Sequence, residues 1–209
     1  MKNTDAENEF RSALVAKAEI YNVTLTPKVL EGLVDYFLLL SEWNPRLHLV
    51  APCSPREFAT RHVLESLLLL SYLPLSAAVA DIGSGAGLPI VPCLAARPDL
   101  QATLFESARK KAVFLREALK LTKSAASKVV AERFEKVQAP PVDFITCRAL
   151  EKFDTMLRLL IDWSPPQATL LLFGSENLRR KMEEYKLVYT PIKIPQSKNR
   201  FIFVVSLAR

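Results

Sequence analysis

The 209-residue chain holds five glycines, and three of them fall in one seven-residue stretch, Asp81-Ile82-Gly83-Ser84-Gly85-Ala86-Gly87. An apolar run, residues 78–82, precedes it, and a run of helical character, residues 88–96, follows. Strand, glycine turn, then helix is the context that a nucleotide-binding turn requires. Glycine permits positive φ there and lets the backbone lie close against a ligand. Three glycines so near one another cost backbone entropy without adding packing, so a ligand explains them better than a bare tight turn.

The spacing discriminates between ligands. Dinucleotide sites use G-x-G-x-x-G and bring a helix N-terminus to a pyrophosphate. Here the pattern is G-x-G-x-G with an acid, Asp81, before it. An acid beside the turn repels a pyrophosphate and suits the methionine ammonium of S-adenosylmethionine. A second acid, Glu106, ends the next apolar run and offers two oxygens to the adjacent hydroxyls of a ribose. The cofactor expected on these grounds is S-adenosylmethionine, with Asp81, Gly83, Gly85, Gly87 and Glu106 around it.

Around this turn, short β-rich runs alternate with helical ones. Strands are expected at 78–82, 102–105, 128–131, 142–147, 168–173, 187–194 and 201–207, with helices at 88–96, 109–122 and 152–163. The last helix carries Phe153, Met156, Leu157, Leu160 and Ile161 as an amphipathic stripe. Such alternation predicts a parallel sheet covered on both faces. Only Pro195-Gln196-Ser197-Lys198-Asn199-Arg200 separates the last two strands, a distance that allows a hairpin and forbids a helical crossover. The expected fold class is therefore α/β, Rossmann-like: seven strands, mostly parallel, with an antiparallel last strand.

Residues 1–75 read instead as a helical cap, with 76–209 as the sheet-bearing domain, the two making one compact unit. A helix is expected at roughly 5–20. Thr26-Pro27 supplies an N-cap and a first-turn proline for a second. Ser54-Pro55-Arg56-Glu57 forms a capping box that starts a third, running to about Ser71.

Composition narrows the function classes. Apolar residues make up 50% of the chain and charged residues 24%, as in a globular protein with a full core. The net charge of +6 favours an anionic partner such as nucleic acid. Cys53, Cys93 and Cys147 form no C-x-x-C pair, and only His48 and His62 are present, so no metal site and no disulfide framework is expected. Free thiols and a charged N-terminus without an apolar core point to the cytoplasm. Apolar runs such as 67–70 are too short to cross a bilayer. A monomer without membrane attachment is expected.

At this point the residues resemble a known family, the bacterial 16S rRNA guanine-N7 methyltransferases of the glucose-inhibited-division B group (GidB, RsmG). The resemblance is carried by Glu42-Trp43-Asn44, by Arg61-His62-Val63-Leu64-Glu65-Ser66-Leu67, by Asp81 to Pro89, and by Arg148-Ala149. It implies the class I S-adenosylmethionine-dependent methyltransferase fold. It also implies methylation of N7 of one guanosine in the decoding-region loop of 16S rRNA, in the small ribosomal subunit. The family's cofactor contacts fall on positions matching Gly83, Leu88, Glu106, Phe134, Glu135 and Arg148, the match at Phe134 and Glu135 needing a small gap. The chain departs from the family's usual residues at Phe173 (lysine), His48 (asparagine), Ile90 (glycine) and Cys147 (serine). Loss of the lysine removes one cation near the substrate.

Guanine N7 already carries a free lone pair, so no general base is expected. Arg148, at the end of a strand, is the candidate positioning residue. Candidate RNA contacts are Asn44, Arg61, His62, Arg109, Lys110, Lys111 and Arg148. Basic clusters also lie at Arg179-Arg180-Lys181 and around Lys193, Lys198 and Arg200, although most charge runs are solvated helix faces. Asn44 equally fits a helix end, His62 a packed helix histidine, Trp43 a core aromatic and Cys147 a buried thiol. Competing readings are a methyltransferase of another substrate, an RNA-binding module of the same fold without catalysis, and a nicotinamide-dependent dehydrogenase, which the glycine spacing disfavours.

Overall fold

A computed structural model describes residues 4–148 and 153–207. Ala149 of the Arg148-Ala149 pair, the first residue of the helix expected at 152–163 and the side chain of Phe153 lie outside the described residues.

The N-terminal third is helical. Helix α1 (Thr4–Lys17) and helix α2 (Pro27–Leu47) are followed by α3 (Pro55–Glu57) and α4 (Glu65–Leu67), joined by a π-wound segment, Phe58–Leu64. The hydroxyl of Thr26 accepts from Val29 N at 3.3 Å and starts α2, with Pro27 in its first turn. Ser54 Oγ accepts from Glu57 N at 3.1 Å. The reciprocal half of the expected capping box is absent among the described bonds: the Glu57 carboxylate turns along the helix to Arg61, 2.5 Å away. The expected single helix up to Ser71 is likewise wound in three ways, closing with a 3-10 turn at Leu68–Ser71.

Strands β1 (Ala78–Ile82), β2 (Gln101–Phe105), β3 (Lys128–Val130), β4 (Phe144–Arg148) and β5 (Thr169–Ser175) are parallel, and β6 (Tyr189–Lys193) and β7 (Arg200–Ser206) complete one sheet of order β3-β2-β1-β4-β5-β7-β6. Strand β7 lies between β5 and β6, antiparallel to both. The last strand of the chain is thus antiparallel, as the short 194–199 connection requires, and β6 forms one edge of the sheet. Helices α5 (Ile90–Ala96), α6 (Arg109–Thr122), α7 (Phe153–Trp163) and α8 (Glu176–Glu184) fill the connections.

Side-chain alternation along the strands divides the interior into two cores. On one face Val79, Leu171, Phe173 and Ile202 pack with α1, α2, α5 and α6. On the other Ala80, Ile82, Ile145, Leu170, Leu172 and Phe203 pack with α7 and α8. Each fully buried Leu or Phe contributes on the order of 1.5–3 kcal/mol. The first core includes Phe10 and Phe37, stacked with ring centroids 4.3 Å apart, and Trp43, whose ring lies 5.9 Å from Phe114. Helical cap and sheet therefore share one apolar interior.

Candidate active site

The glycine turn sits at the C-terminal end of β1, and each glycine has a different duty. All three have positive φ: Gly83 at 66°, Gly85 at 52° and Gly87 at 83°. A Cβ on Gly87 would meet Val91 Cγ2 at 2.4 Å, so this residue is bare in order that α5 can pack close. A Cβ on Gly83 would meet nothing within 4 Å; here the backbone faces open space. Gly87 N donates to Ser84 O at 2.6 Å, and the buried phenol of Tyr36, on α2, donates to Ala86 O at 2.7 Å.

Glu106 follows β2 and is held by two main-chain amides. Gly85 N donates to its Oε2 at 2.9 Å and Ala108 N to its Oε1 at 2.7 Å. Each carboxylate oxygen keeps a further lone pair for another donor. Beside Gly83 and Glu106 opens a cleft of about 180 Å³, whose wall also includes Phe134, Glu135 and Met156. Phe134 meets Trp163 edge-on at 5.2 Å, and the Trp163 indole donates to Val137 O, which holds this wall in place. Glu135 pairs with Arg133 at 2.5 Å. Four positions singled out from the sequence, Gly83, Glu106, Phe134 and Glu135, thus line one cavity.

Asp81 lies beneath the turn and is fully buried. Thr146 donates to its Oδ1 at 2.6 Å, while Oδ2 has no partner among the described residues. Burial pushes its carboxyl up to about 7, the hydroxyls of Ser84 and Thr146 opposing and the charge of Glu106 adding to the rise. Leu88, expected at the cofactor, lies in the apolar core that the cap shares with the sheet, outside the lining of this cleft.

A second cluster joins the cap to the ends of β4, β5 and β7. Glu65, on α4, is 1% exposed and accepts from Arg148 Nη2 at 3.2 Å through Oε2. Arg200 Nη1 lies 2.5 Å from Glu65 Oε1, an ion pair not aligned as a hydrogen bond. Arg148 also donates to the carbonyls of Arg61 and His62 in the π-wound segment, and its guanidinium lies 5.1 Å from the centre of the Phe173 ring. Phe173 therefore carries a cation on its face. His62 packs against Phe58, ring centroids 5.3 Å apart, and burial together with the charges of Arg148, Arg61 and Arg200 lowers it to about 4. Its Nδ1 is buried and unpartnered among the described residues.

Asn44 grips the loop after α2. Its side chain donates to Val50 O at 3.2 Å and accepts from Val50 N at 2.9 Å. The helix ends on His48 at φ 48° and ψ 53°, a left-handed position that asparagine adopts more readily. Arg61 is exposed and paired with Glu57. Arg109 and Lys110 are exposed and Lys111 half-buried at the start of α6, directly after the Glu106–Ala108 bond. Arg179 packs over Phe201 at 4.7 Å. Cys93 and Cys147 are buried, with both thiols pushed up chiefly by burial. Sequence reasoning passed over Glu65 and Thr146 as site residues. A charge within the apolar run 63–70 was the available signal for the first; the second is visible only from strand register.

A seven-stranded sheet in this order, with the glycine turn after β1 and a carboxylate after β2, defines the class I S-adenosylmethionine-dependent methyltransferase fold. Solved structures with the same fold include cofactor-bound Rv0187 from MTB (TM-score 0.62, 14% identity, 86% of this chain and 90% of that one). A SAM-dependent methyltransferase from Aquifex aeolicus gives a TM-score of 0.55 at 14% identity, over 68% of this chain and 89% of that one. The family model GidB, described as rRNA small subunit methyltransferase G, matches residues 29–202, and the chain belongs to that family. A protein named Ribosomal RNA small subunit methyltransferase G from Xanthomonas axonopodis pv. citri (strain 306) is 44% identical over 120 residues, covering 57% of this chain and 56% of that protein. One of the same name from Methylobacillus flagellatus is 37% identical over 136 residues, 65% of this chain and 66% of the relative. The match to the first spans little more than half of that relative's length. Among the described residues no helix is long and apolar enough to cross a membrane, and no group of three or more His, Cys, Asp and Glu could hold a metal ion.

Proposed function

We propose that this chain methylates N7 of a guanosine in the decoding-region loop of 16S rRNA, using S-adenosylmethionine. The observation that carries the cofactor is the cleft in which Gly83, Glu106 and Phe134 lie side by side. Its residues fit the group: an open backbone position for close approach, a carboxylate fixed by two amides for the ribose, and an apolar wall for the base. The buried, half-partnered carboxylate of Asp81 beneath the turn suits a cationic end. Gly85 and Gly87 shape the turn, and Leu88 supports it from the core. Glu135 stands at the rim.

When bound, S-adenosylmethionine supplies a methyl group activated on a sulfonium. Guanine N7 has a lone pair, so no side chain of this protein needs to remove a proton. The work left to the protein is to hold the acceptor in line and exclude water, and such orientation contributes about 7–11 kcal/mol. Arg148 is the positioning residue, fixed between Glu65, two cap carbonyls and Phe173. Arg61, Arg109, Lys110 and Lys111 supply phosphate contacts, which set register along the RNA. Asn44 and His62 shape the acceptor side, Asn44 by holding the loop at Val50. The family membership and the net charge of +6 support an RNA substrate, the small ribosomal subunit supplying it.

The test is to map N7-methylguanosine in 16S rRNA from cells with and without this protein, beside transfer of labelled methyl to small subunits in vitro. One guanosine should lose its methyl in the deletion and regain it on complementation. An unchanged modification profile would refute the reading.

A further inference from the structure

Asp81 and Thr146 are direct neighbours in the parallel register of β1 and β4. Their side chains therefore rise from the same face of the sheet, the face covered by α2 and α5. Both residues are fully buried, and the Thr146 hydroxyl donates to Asp81 Oδ1 at 2.6 Å. Oδ2 is buried as well and has no partner among the described residues. The glycine turn follows Asp81 directly in the chain, and its first glycine, Gly83, lines the cleft. A buried carboxylate met only by neutral hydroxyls, Thr146 bonded to Oδ1 and Ser84 beside it on the turn, is expensive to ionise. Charge held away from water is weakly screened, so whether it is present matters to anything cationic bound on the turn.

We propose that Thr146 is a positioning residue for the cofactor: its hydroxyl holds Asp81 in the ionised state, so that the ammonium end of the ligand meets a negative charge beneath the glycine turn. The inference rests on the reading that the cleft takes S-adenosylmethionine.

The surroundings make Asp81 the group that titrates. Tyr36 on α2, Cys93 on α5, Cys147 on β4 and Glu106 after β2 are coupled to it electrostatically. Burial raises the Tyr36 phenol and both thiols, which therefore stay neutral near pH 7. Glu106 adds like charge and pushes the Asp81 carboxyl further up, to about 7 in all. A protonated Asp81 offers no charge to an ammonium. Ligand affinity should therefore be weak at acid pH and rise as pH passes through about 7. Removal of the Thr146 hydroxyl withdraws a bond to the ionised form and moves that rise to higher pH. Valine keeps the branched shape that a strand interior favours, and serine keeps the hydroxyl.

The experiment is calorimetric titration of the full chain with S-adenosylmethionine between pH 5.5 and 8.5, for the natural protein, Thr146→Val and Thr146→Ser. A parallel titration uses 5′-methylthioadenosine, which has no ammonium group. The natural protein should bind S-adenosylmethionine more tightly as pH rises. Thr146→Val should lose about tenfold in affinity below the plateau, approach the natural value above it, and show its midpoint about one pH unit higher. Thr146→Ser should restore the natural profile, and methylthioadenosine should show no such pH dependence. An unchanged midpoint in Thr146→Val, or a loss equal at every pH, overturns the role given to Thr146. If the natural protein binds the ligand with no pH dependence, this inference falls and the cofactor reading stands; if it binds none at any pH, the cofactor reading itself falls. Should Thr146→Val not fold, the Thr146→Ser profile and the ammonium-free ligand still decide: pH dependence shared by both ligands overturns the inference.

Discussion

The Glu65 carboxylate lies 3.2 Å from the Arg148 guanidinium, so that a buried acid of the helical cap and a part-buried cation at the end of β4 are bound to one another. Arg200 completes a triad around the same acid. Removing one member leaves uncompensated buried charge, a far larger cost than the net worth of the pair. Glu65→Ala is expected to lose about 3–5 kcal/mol of unfolding free energy. Urea denaturation checks it, and a loss under about 1 kcal/mol would mean that water reaches both guanidiniums.

The glycines of the turn should separate stability from ligand binding. Gly87→Ala places a Cβ 2.4 Å from Val91 at a φ of 83°, and is expected to destabilise by about 2–4 kcal/mol. Gly83→Ala meets no neighbour within 4 Å, so only the left-handed strain of about 1 kcal/mol applies. Its Cβ nevertheless projects where the cleft opens, and affinity for S-adenosylmethionine should fall at least tenfold. Thermal melts and calorimetry on the two variants give the comparison.

Asp81 also links folding to pH. Its folded carboxyl is raised to about 7, above its unfolded value near 3.8, so the folded state binds the extra proton between those limits. Stability contributed by that proton is complete below pH 4 and is lost as pH rises to 7. Asp81→Asn removes the dependence and should make the ligand-free protein more stable at pH 8, by on the order of 3 kcal/mol. His62 acts with the opposite sign: lowered to about 4 when folded, it destabilises as pH falls from 6.5 towards 4. Denaturation midpoints from pH 4 to 8 for Asp81→Asn and His62→Gln separate the two slopes.

His48 holds a left-handed conformation at an exposed helix end. His48→Gly relieves that strain, and a gain of about 0.5–1 kcal/mol is expected. A lower melting temperature would show that the His48 ring contributes more than its backbone costs.

The basic start of α6 is expected to face phosphate. Changing Arg109, Lys110 and Lys111 together to Ala should weaken binding to 16S rRNA fragments. The slope of log affinity against log salt should flatten by about 0.7–0.9 for each phosphate contact removed. An unchanged slope would move the RNA surface elsewhere.

The features legible in the sequence are those carried by local chemistry. The alternation of short β-rich runs with helical ones marked a parallel sheet covered on both faces, and the six residues between Lys193 and Arg200 could only turn back. Helix α8 was missed because its apolar side is just Leu178 and Met182, set among charges that read as a solvated run. The edge strand β6 is shorter than expected: Leu187 and Val188 precede it, and Val188 is 77% exposed. Gly83, Glu106, Phe134 and Glu135, which share one cleft, are the positions that a turn motif and a family pattern name. The Thr146–Asp81 bond depends on which residues two strands place opposite one another. The Glu65 triad joins positions 65, 148 and 200, which no spacing rule connects.

The hydrogen bond from Tyr36 to Ala86 spans 50 residues of chain. A protein emerging from the ribosome presents α2 first and acquires its partner only when the glycine turn follows. At about 5–20 residues per second, that interval lasts roughly 3–10 s. Throughout it, the aromatic faces of Phe10, Phe37 and Phe58 have no sheet to rest on, so birth of this fold includes a period in which a helper that shields apolar helices would have something to hold.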